Sequence, residues 1–244
     1  MLLKNQVILI TGAGGGLGHT AAVALAKQGA TLILLDKLIP KLEHTYDAII
    51  ASGAPTPVLY PFDLAGATES EYEELADIIE EKYGALQGLL HSAVEFKHFT
   101  PLAQCTTHDW GNGLTVNLSA AFLLTRVLLP VLQKSLYASI VFTSDSSART
   151  GRAYSSVYGV AKIALEGMAK IFAEELEAGQ KIRVNTLVPG AINSPLRKKA
   201  YPAEDKTQLP AMDSLAALYT YLFSSHSIGI TGQIINAQTF TSPF

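Results

Sequence analysis

Short apolar segments alternate with longer helical patterns along almost the whole chain of 244 residues. The short segments are rich in Val, Ile and Leu on both faces, whereas those between them carry apolar residues at helical spacing. Such strands, separated by helices, predict a parallel sheet covered on both sides, which is a doubly wound α/β fold. Seven strands are expected, at 6–11, 30–36, 57–63, 86–92, 138–144, 182–188 and 232–237, and six helices near 17–28, 38–52, 69–83, 106–133, 155–178 and 213–224.

The chain shows no internal repeat, low-complexity tract or linker, so a single domain over 1–244 is expected. Hydrophobic residues make up 48% of the sequence, which is enough for one large core. The irregular exception is segment 189–212, which holds four prolines between the sixth strand and the last helix. Long irregular segments at the carboxyl ends of such strands often cover ligands, so 189–212 is predicted to be a substrate lid. A variable surface loop is the alternative.

Charge and cysteine content narrow the class of ligand and the compartment. The net charge is −3 with no basic block, which disfavours nucleic acid and anionic membranes and favours a small molecule. The single cysteine, Cys105, excludes an intramolecular disulfide, and the His and Cys residues lack metal-site spacing. The N-terminal apolar run opens into glycines, unlike a signal peptide, and no apolar stretch reaches the ~20 residues that span a bilayer. We therefore expect a cytoplasmic protein without a metal or a membrane segment.

A glycine-rich turn, "ITGAGGGLG", directly follows the first predicted strand and leads into a helix. Gly12, Gly16 and Gly18 allow a tight turn and let the backbone approach a pyrophosphate, whose charge is met by N–H groups at the helix start. Asp36 ends the second strand, where a carboxylate accepts both ribose hydroxyls of NAD and repels the 2′-phosphate of NADP. The pattern predicts NAD. NADP is the minor alternative, because Lys37 adjoins the carboxylate. A glycine-rich strand-to-helix turn that binds no ligand is the purely structural alternative.

Tyr158 and Lys162 stand one helical turn apart and so share a helix face. With the spacing T-G-x-x-x-G-x-G from Thr11 to Gly18 upstream of this pair, the chain resembles the short-chain dehydrogenase/reductase family over essentially its whole length. Within the family, "IVFTSDSSARTGRAYSSVYGVAK" resembles most the YciK-like bacterial oxidoreductases. Further motifs of the family occur in order, namely "FDL" with Asp63 and Leu64, "VNLSAAF" with Asn117, "LVPG" followed by Ser194, and "GITGQIINA".

This resemblance implies a three-layer Rossmann fold with sheet order 3-2-1-4-5-6-7 and hydride transfer between NAD(H) and an alcohol or carbonyl substrate. Tyr158 would be the general acid/base, Lys162 would lower its pKa and hold the nicotinamide ribose, and Asn117 would support a water that relays the proton. A phenol of pKa ~10 needs a nearby cation to act as a base near neutrality. The resemblance assigns cofactor binding to Thr11, Gly12, Gly16, Leu17, Gly18, Asp36, Asp63, Leu64, Ser92, Ala93, Tyr158, Lys162, Pro189, Gly190, Ile192 and Ser194.

Position 145 departs from the family pattern, which has a serine there to hydrogen-bond the substrate oxygen, because this chain has Asp145. An ionised aspartate beside Tyr158 would raise the pKa of the phenol and compete for Lys162. Ser144 or Ser146 is one replacement, although alternation along a strand turns both away unless the strand bulges. A protonated Asp145 that donates a hydrogen bond in an apolar site is another.

A second departure lies in "LLHSAVEF", where the family usually has Asn-Asn-Ala-Gly. Ser92 replaces an asparagine that braces neighbouring strands. Val94 replaces a glycine, and a β-branched residue tolerates neither positive φ nor close backbone approach well. Reduced cofactor affinity and a shifted loop that accommodates both changes are the two alternatives.

The helices at 106–133 and 155–178 are apolar around most of their circumference. One face suffices for packing on the sheet, so the remaining apolar residues are expected to meet another subunit. In the family these helices form the usual dimer interface, and tetramers are common. A homodimer or homotetramer through them is therefore predicted.

Two functional hypotheses follow from these residues. The first is an NAD-dependent oxidoreductase that acts through Tyr158, Lys162 and Asn117. The second is a catalytically weakened dinucleotide-binding protein, used as a sensor or in assembly, because Asp145 opposes the phenolate. The substrate would be determined by segments 94–104 and 189–212, where loop shape matters more than residue type.

Overall fold

The computed structural model describes residues 1–179 and 181–243. Its strands are β1 (Val7–Thr11), β2 (Thr31–Asp36), β3 (Val58–Pro61), β4 (Gly88–His91), β5 (Ala138–Thr143), β6 (Ile182–Val188) and β7 (Ile234–Asn236). They form a parallel sheet in the order β3-β2-β1-β4-β5-β6-β7, which confirms the expected order.

Helices cover both faces of the sheet, as the alternating pattern predicts. They are α1 (Gly16–Lys27), α2 (Ile39–Ala51), α3 (Glu69–Tyr83), α4 (Thr107–Leu114), α5 (Ala120–Gln133), α6 (Ser146–Arg149), α7 (Ser156–Glu177), α8 (Pro195–Ala200) and α9 (Ala216–Phe223). Apolar residues of α3, α5 and α7 form the core on one face of the sheet, and those of α1, α2 and α9 form the core on the other.

The central strands supply both cores because successive side chains of a strand point to opposite faces. Leu9 of β1 belongs to the core under α3, α5 and α7, whereas its neighbours Ile8 and Ile10 belong to the core under α1, α2 and α9. Strands β5 and β6 are buried along their whole length. Burial on both faces is the reason that these strands read as continuous apolar runs.

The helix expected over 106–133 is continuous but contains a turn of π-helix, Thr115–Ser119, between α4 and α5. Asn117 lies in this wider turn. By length and composition alone, Thr107–Gln133 would suffice to cross a membrane, a property that it shares with core helices of other proteins. Its inward residues, including Leu124 and Leu128, pack in the core beneath the sheet.

Segment 189–212 is more ordered than its composition suggests. Ser194 caps α8, its hydroxyl accepting from the Arg197 N–H, and Pro195 occupies the first helical turn. A β-bridge between Asn193 and Ala211 joins the two ends of the segment. Segment 189–212 therefore forms a loop, closed at its base by this bridge, that begins directly after β6.

The parallel strands bring four loops to one edge of the sheet. The glycine turn follows β1, the "SAVEF" loop follows β4, Asp145 follows β5, and segment 189–212 follows β6. The chain leaves β1 toward α1 on one face, and leaves β4 toward α4 and α5 on the other, which opens a crevice between the two strand ends. Such a topological switch point is where open α/β sheets bind their ligands.

Candidate active site

The turn after β1 is built around glycines that no other residue could replace without a shift. Gly12 has φ +65°, and a Cβ there would lie 2.6 Å from the Ala93 Cα. A Cβ on Gly18 would lie 2.1 Å from the Gly12 carbonyl oxygen. Thr11 locks the turn to the end of β4, because its hydroxyl accepts from the Ser92 and Ala93 N–H groups at 3.1 and 3.2 Å.

Asp36 lies at the carboxyl end of β2, beside the same turn. One of its carboxylate oxygens accepts from the Gly14 N–H and the other from the Leu38 N–H, both at 3.1 Å. The carboxylate is thus oriented by two backbone donors. Lys37 and Lys41 line the same cavity and supply positive charge next to it.

Two adjoining cavities follow the crevice. The first extends from Asp36 to the end of β4, and the second continues from the start of α1 to Tyr158 and Lys162. The predicted residues along the first are Gly12, Gly16, Asp36, Asp63, Leu64, Ser92 and Ala93. Those along the second are Gly16, Leu17, Gly18, Ser92, Asp145, Tyr158, Lys162, Pro189, Gly190, Ile192 and Ser194.

Two predicted residues, Thr11 and Asn117, line neither of these cavities. They border a much smaller cavity that also reaches Lys162. Asn117 is fully engaged, because its amide donates to the Glu95 and Gly113 carbonyls at 2.9 Å and its oxygen accepts from the Glu95 N–H at 3.0 Å. In this structure Asn117 therefore braces the loop after β4 against the π-helical turn.

Tyr158 and Lys162 face the second cavity from one side of α7 and are 7% and 4% exposed. The ammonium of Lys162 donates to the Thr143 carbonyl at 2.7 Å and lies 5.8 Å from the centre of the Tyr158 ring. Burial lowers the pKa of Lys162 to about 8, although Asp145 acts in the opposite direction. The cation that the phenol needs is thus present at neutral pH.

Asp145 is in direct hydrogen-bond contact with the phenol of Tyr158. The Tyr158 hydroxyl donates to the Asp145 Oδ2 at 2.9 Å. Burial, followed by the charge of Asp145 and this hydrogen bond, raises the pKa of Tyr158 well above its ordinary value of 10. Tyr158 is therefore a phenol, with its proton directed at the carboxylate.

Neither neighbouring serine takes the place of the family serine. The Ser144 hydroxyl donates to the buried carboxylate of Glu166 at 2.7 Å, and Arg149 donates to the other oxygen of that carboxylate at 2.9 Å. Ser146 is exposed at the start of α6. As alternation along β5 predicts, Asp145 is the residue that meets Tyr158.

Val94 causes no backbone strain, because it is absent from the positive-φ residues of the described chain, which besides glycines are Asn5, Tyr154 and Ser156. Its side chain is 40% exposed and borders both large cavities. The backbone of the loop after β4 thus accommodates Val94, and reduced cofactor affinity stays a prediction.

The far wall of the second cavity is aromatic. Phe96 packs edge-on against Tyr158 with ring centres 5.3 Å apart, and Phe99 packs in the same way against Tyr201. The Arg197 guanidinium lies 3.7 Å from the centre of the Tyr201 ring. Sequence reasoning named the two segments that carry these residues, 94–104 and 189–212, but none of the residues.

The site fits a dinucleotide on features of its own. Two buried hydroxyl groups that border the second cavity, the Ser92 Oγ and the Thr143 Oγ1, have no hydrogen-bond partner within the described chain. Unsatisfied buried groups are costly, so these two hydroxyls fit a site whose polar ligand satisfies them. The glycine turn leaves room for a backbone-bound anion. Fold and site together define a Rossmann-type nucleotide-binding protein.

Comparisons with known proteins specify the family. The family model for short chain dehydrogenases matches residues 6–205. The uncharacterized oxidoreductase YciK of Escherichia coli K12 is 36% identical over 242 residues, which cover 99% of this chain and 95% of YciK. The chain therefore belongs to the short chain dehydrogenase family of oxidoreductases, whose members use NAD or NADP.

Solved structures agree with this assignment. A short chain dehydrogenase from Pseudomonas syringae has a TM-score of 0.92 and 42% identity, covering 97% of this chain and 96% of its own. One from Shigella flexneri 2a, solved in complex with NADP, has a TM-score of 0.93 and 36% identity, covering 97% and 98%. The fold and its nucleotide-binding character are thus those of the family.

Proposed function

We propose that this protein transfers a hydride between NAD(H) and an alcohol or carbonyl substrate, with Tyr158 as the general acid/base. The observation that carries the proposal is that Tyr158 and Lys162 enter, side by side, the cavity that begins at the glycine turn. Apolar and aromatic walls next to Tyr158 favour a substrate with an apolar or aromatic body. The single cysteine supports a reducing, cytoplasmic location.

The chain's own residues divide the work of such a reaction. The glycine turn and the start of α1 would hold the pyrophosphate, and Asp36 the adenosine ribose. Lys162 would hold the nicotinamide ribose and keep a positive charge near the phenol. Asn117 would keep the loop after β4 in place. The bound nicotinamide supplies the hydride acceptor or donor, and Tyr158 moves the proton at its Oη atom.

NAD is proposed over NADP because of the carboxylate of Asp36. Two backbone N–H groups hold this carboxylate at the position that meets the ribose in dinucleotide-binding folds, where it would repel a 2′-phosphate. The NADP complex of the Shigella flexneri protein supports the opposite choice, as do Lys37 and Lys41 in the same cavity. The proposal of NAD rests on Asp36, because a 2′-phosphate would have to stand against its negative charge.

Cofactor titrations and turnover test the proposed function. NADH should bind and enhance nicotinamide fluorescence, more tightly than NADPH does. On a panel of ketones and secondary alcohols, Tyr158→Phe should reduce kcat at least about 100-fold and weaken NADH binding by no more than about tenfold, because it removes the proton-carrying hydroxyl and at most one hydrogen bond to the cofactor. Tyr83→Phe, far from the cavities, is the control. Absence of NADH and NADPH binding at millimolar concentration would refute the function.

The alternative, a dinucleotide-binding protein without turnover, is favoured by one contact. The hydrogen bond from Tyr158 to Asp145 keeps the phenol protonated, which opposes a phenolate mechanism. This alternative predicts cofactor binding, no native turnover on the panel, and activity that appears in Asp145→Ser. Native turnover that depends on Tyr158 would exclude it.

A further inference from the structure

Asp145 and Tyr158 form a hydrogen-bonded pair at the surface of the substrate cavity. The donor is the phenol and the acceptor is the Asp145 Oδ2, at 2.9 Å, so the proton of Tyr158 already lies between the two groups. Both residues border the second cavity together with the aromatic wall. A group that enters from the cavity thus reaches the phenol oxygen, while the phenol proton faces the carboxylate.

Two cationic side chains lie near the pair. Lys162 approaches from α7, and Arg197, on α8, interacts favourably with the negative charge of Asp145. Tyr201 also approaches Tyr158 from the segment after β6. The Ser144, Glu166 and Arg149 contacts fix the strand end on which Asp145 stands. In the contact with Tyr158, Asp145 is the hydrogen-bond acceptor, so its Oδ2 stands where the phenol proton would be received.

We propose that Asp145 is a catalytic residue that exchanges a proton with the Oη atom of Tyr158, so that the two residues act as one acid–base unit. The proposal rests on the proposed function and deepens it. In this unit Tyr158 does not act as a free phenolate. It acts as a phenol that receives one proton while it releases another. The raised pKa of Tyr158 then does not oppose turnover, because the phenolate never has to accumulate.

The atoms and charges of this step balance. In alcohol oxidation the substrate O–H bond breaks and its proton binds the Tyr158 Oη, while the former phenol proton moves to the Asp145 Oδ2. The carbon of the alcohol loses a hydride to the oxidised nicotinamide and becomes a carbonyl carbon. Asp145 ends as a neutral carboxylic acid, which releases its proton to solvent. Carbonyl reduction runs through the same transfers in reverse and begins with a protonated Asp145.

Substitutions at position 145 separate this relay from the family mechanism. Asp145→Asn keeps the size and the hydrogen-bond acceptor but cannot take a proton, so kcat for alcohol oxidation should fall at least about 100-fold with NADH affinity unchanged. Asp145→Ser has the family residue, so it should keep turnover with a pH optimum moved to alkaline pH. Asp77→Asn, an exposed aspartate of α3, is the matched control.

A titration without cofactor gives an independent measurement. The ultraviolet absorbance of the phenolate, taken as the difference from Tyr158→Phe, should show Tyr158 ionising at lower pH in Asp145→Ser than in the native protein. Identical titration curves, or native kcat and pH dependence in Asp145→Asn, would overturn the relay while cofactor binding and turnover stood. Lack of cofactor binding would overturn the proposed function and the relay together. Turnover that appears only in Asp145→Ser would overturn the relay in favour of a binding protein.

Discussion

Burial of the Lys162 ammonium costs folding free energy. Its pKa falls to about 8, because burial disfavours the charged form more than Asp145 favours it. A lysine whose pKa is lower in the folded than in the unfolded state destabilises the fold while it is charged in both, which holds below about pH 8. The penalty is relieved as pH rises from about 8 toward the unfolded-state pKa of ~10.4. The site thus holds a cation that the fold alone would not favour.

Removing this charge should stabilise the cofactor-free protein. We expect Lys162→Met to raise the free energy of unfolding by about 2 kcal/mol at pH 7, after allowance for the lost hydrogen bond to Thr143, and Tm by roughly 4–8 °C. The gain should shrink between about pH 8 and 10. Calorimetry measures both effects. Lys170→Met, at an exposed position of the same helix, should leave Tm nearly unchanged, and equal Tm values for the two variants would contradict the prediction.

Sequence reasoning reached some residues of the site and missed others for a physical reason. Gly12, Gly18 and Asp36 follow from their spacing along one strand–turn–helix–strand unit, because such a unit has its tight turn and its second strand end at fixed distances along the chain. Phe96 and Tyr201 meet only after two loops fold toward each other, so no local spacing signals them. The direction of the Tyr158 proton likewise depends on three-dimensional contact.

At the scale of elements, side-chain contacts hold segment 189–212 together and join it to the loop after β4 on the other side of the second cavity. Arg197 donates to both carboxylate oxygens of Glu204, at 2.7 and 2.6 Å. Lys199 reaches across the cavity mouth and donates to the Phe96 carbonyl at 2.7 Å. Prolines signalled an irregular segment here, but the pair Ser194 and Pro195 is a helix-start signal that could have predicted α8.

The Lys199 contact should hold α8 in position over the cavity. Lys199→Met removes the donor and keeps the apolar stem, so we expect the backbone amides of 196–201 to exchange with deuterium several-fold faster in the cofactor-free protein. Mass spectrometry of the exchanged peptides measures this. Lys198→Met, the adjacent exposed lysine, is the control, and exchange equal to that of the control would show that the contact does not restrain the segment.

At the scale of the whole molecule, the sequence predicts the three layers of helices, sheet and helices, but it only suggests which surface joins two copies of the chain. Alternating strands and helices require a covered parallel sheet, because each apolar face must be buried. Leu124 and Leu165 are buried against the sheet, whereas other apolar residues of α5 and α7 are exposed. The sequence pattern showed that both helices are apolar around most of their circumference, but it did not show which apolar residues face the core and which face outward. The exposed residues are Phe122, Val160, Ile163 and Ile171, exposed by 43%, 38%, 50% and 61%.

We propose that this exposed stripe joins two copies of the chain. Val160, Ile163 and Ile171 recur at helical spacing along α7, so together they present one continuous apolar face of the kind that interfaces bury. Ile171→Lys should weaken self-association at least about 100-fold, since a two-fold dimer contains the substituted side chain twice and each lysine would be desolvated. Sedimentation velocity over a range of concentrations measures the change. Ile50→Lys, the control, alters a comparably exposed isoleucine of α2 on the opposite face of the sheet and should leave association intact. A native protein that sediments as a monomer at tens of micromolar would refute the proposed interface.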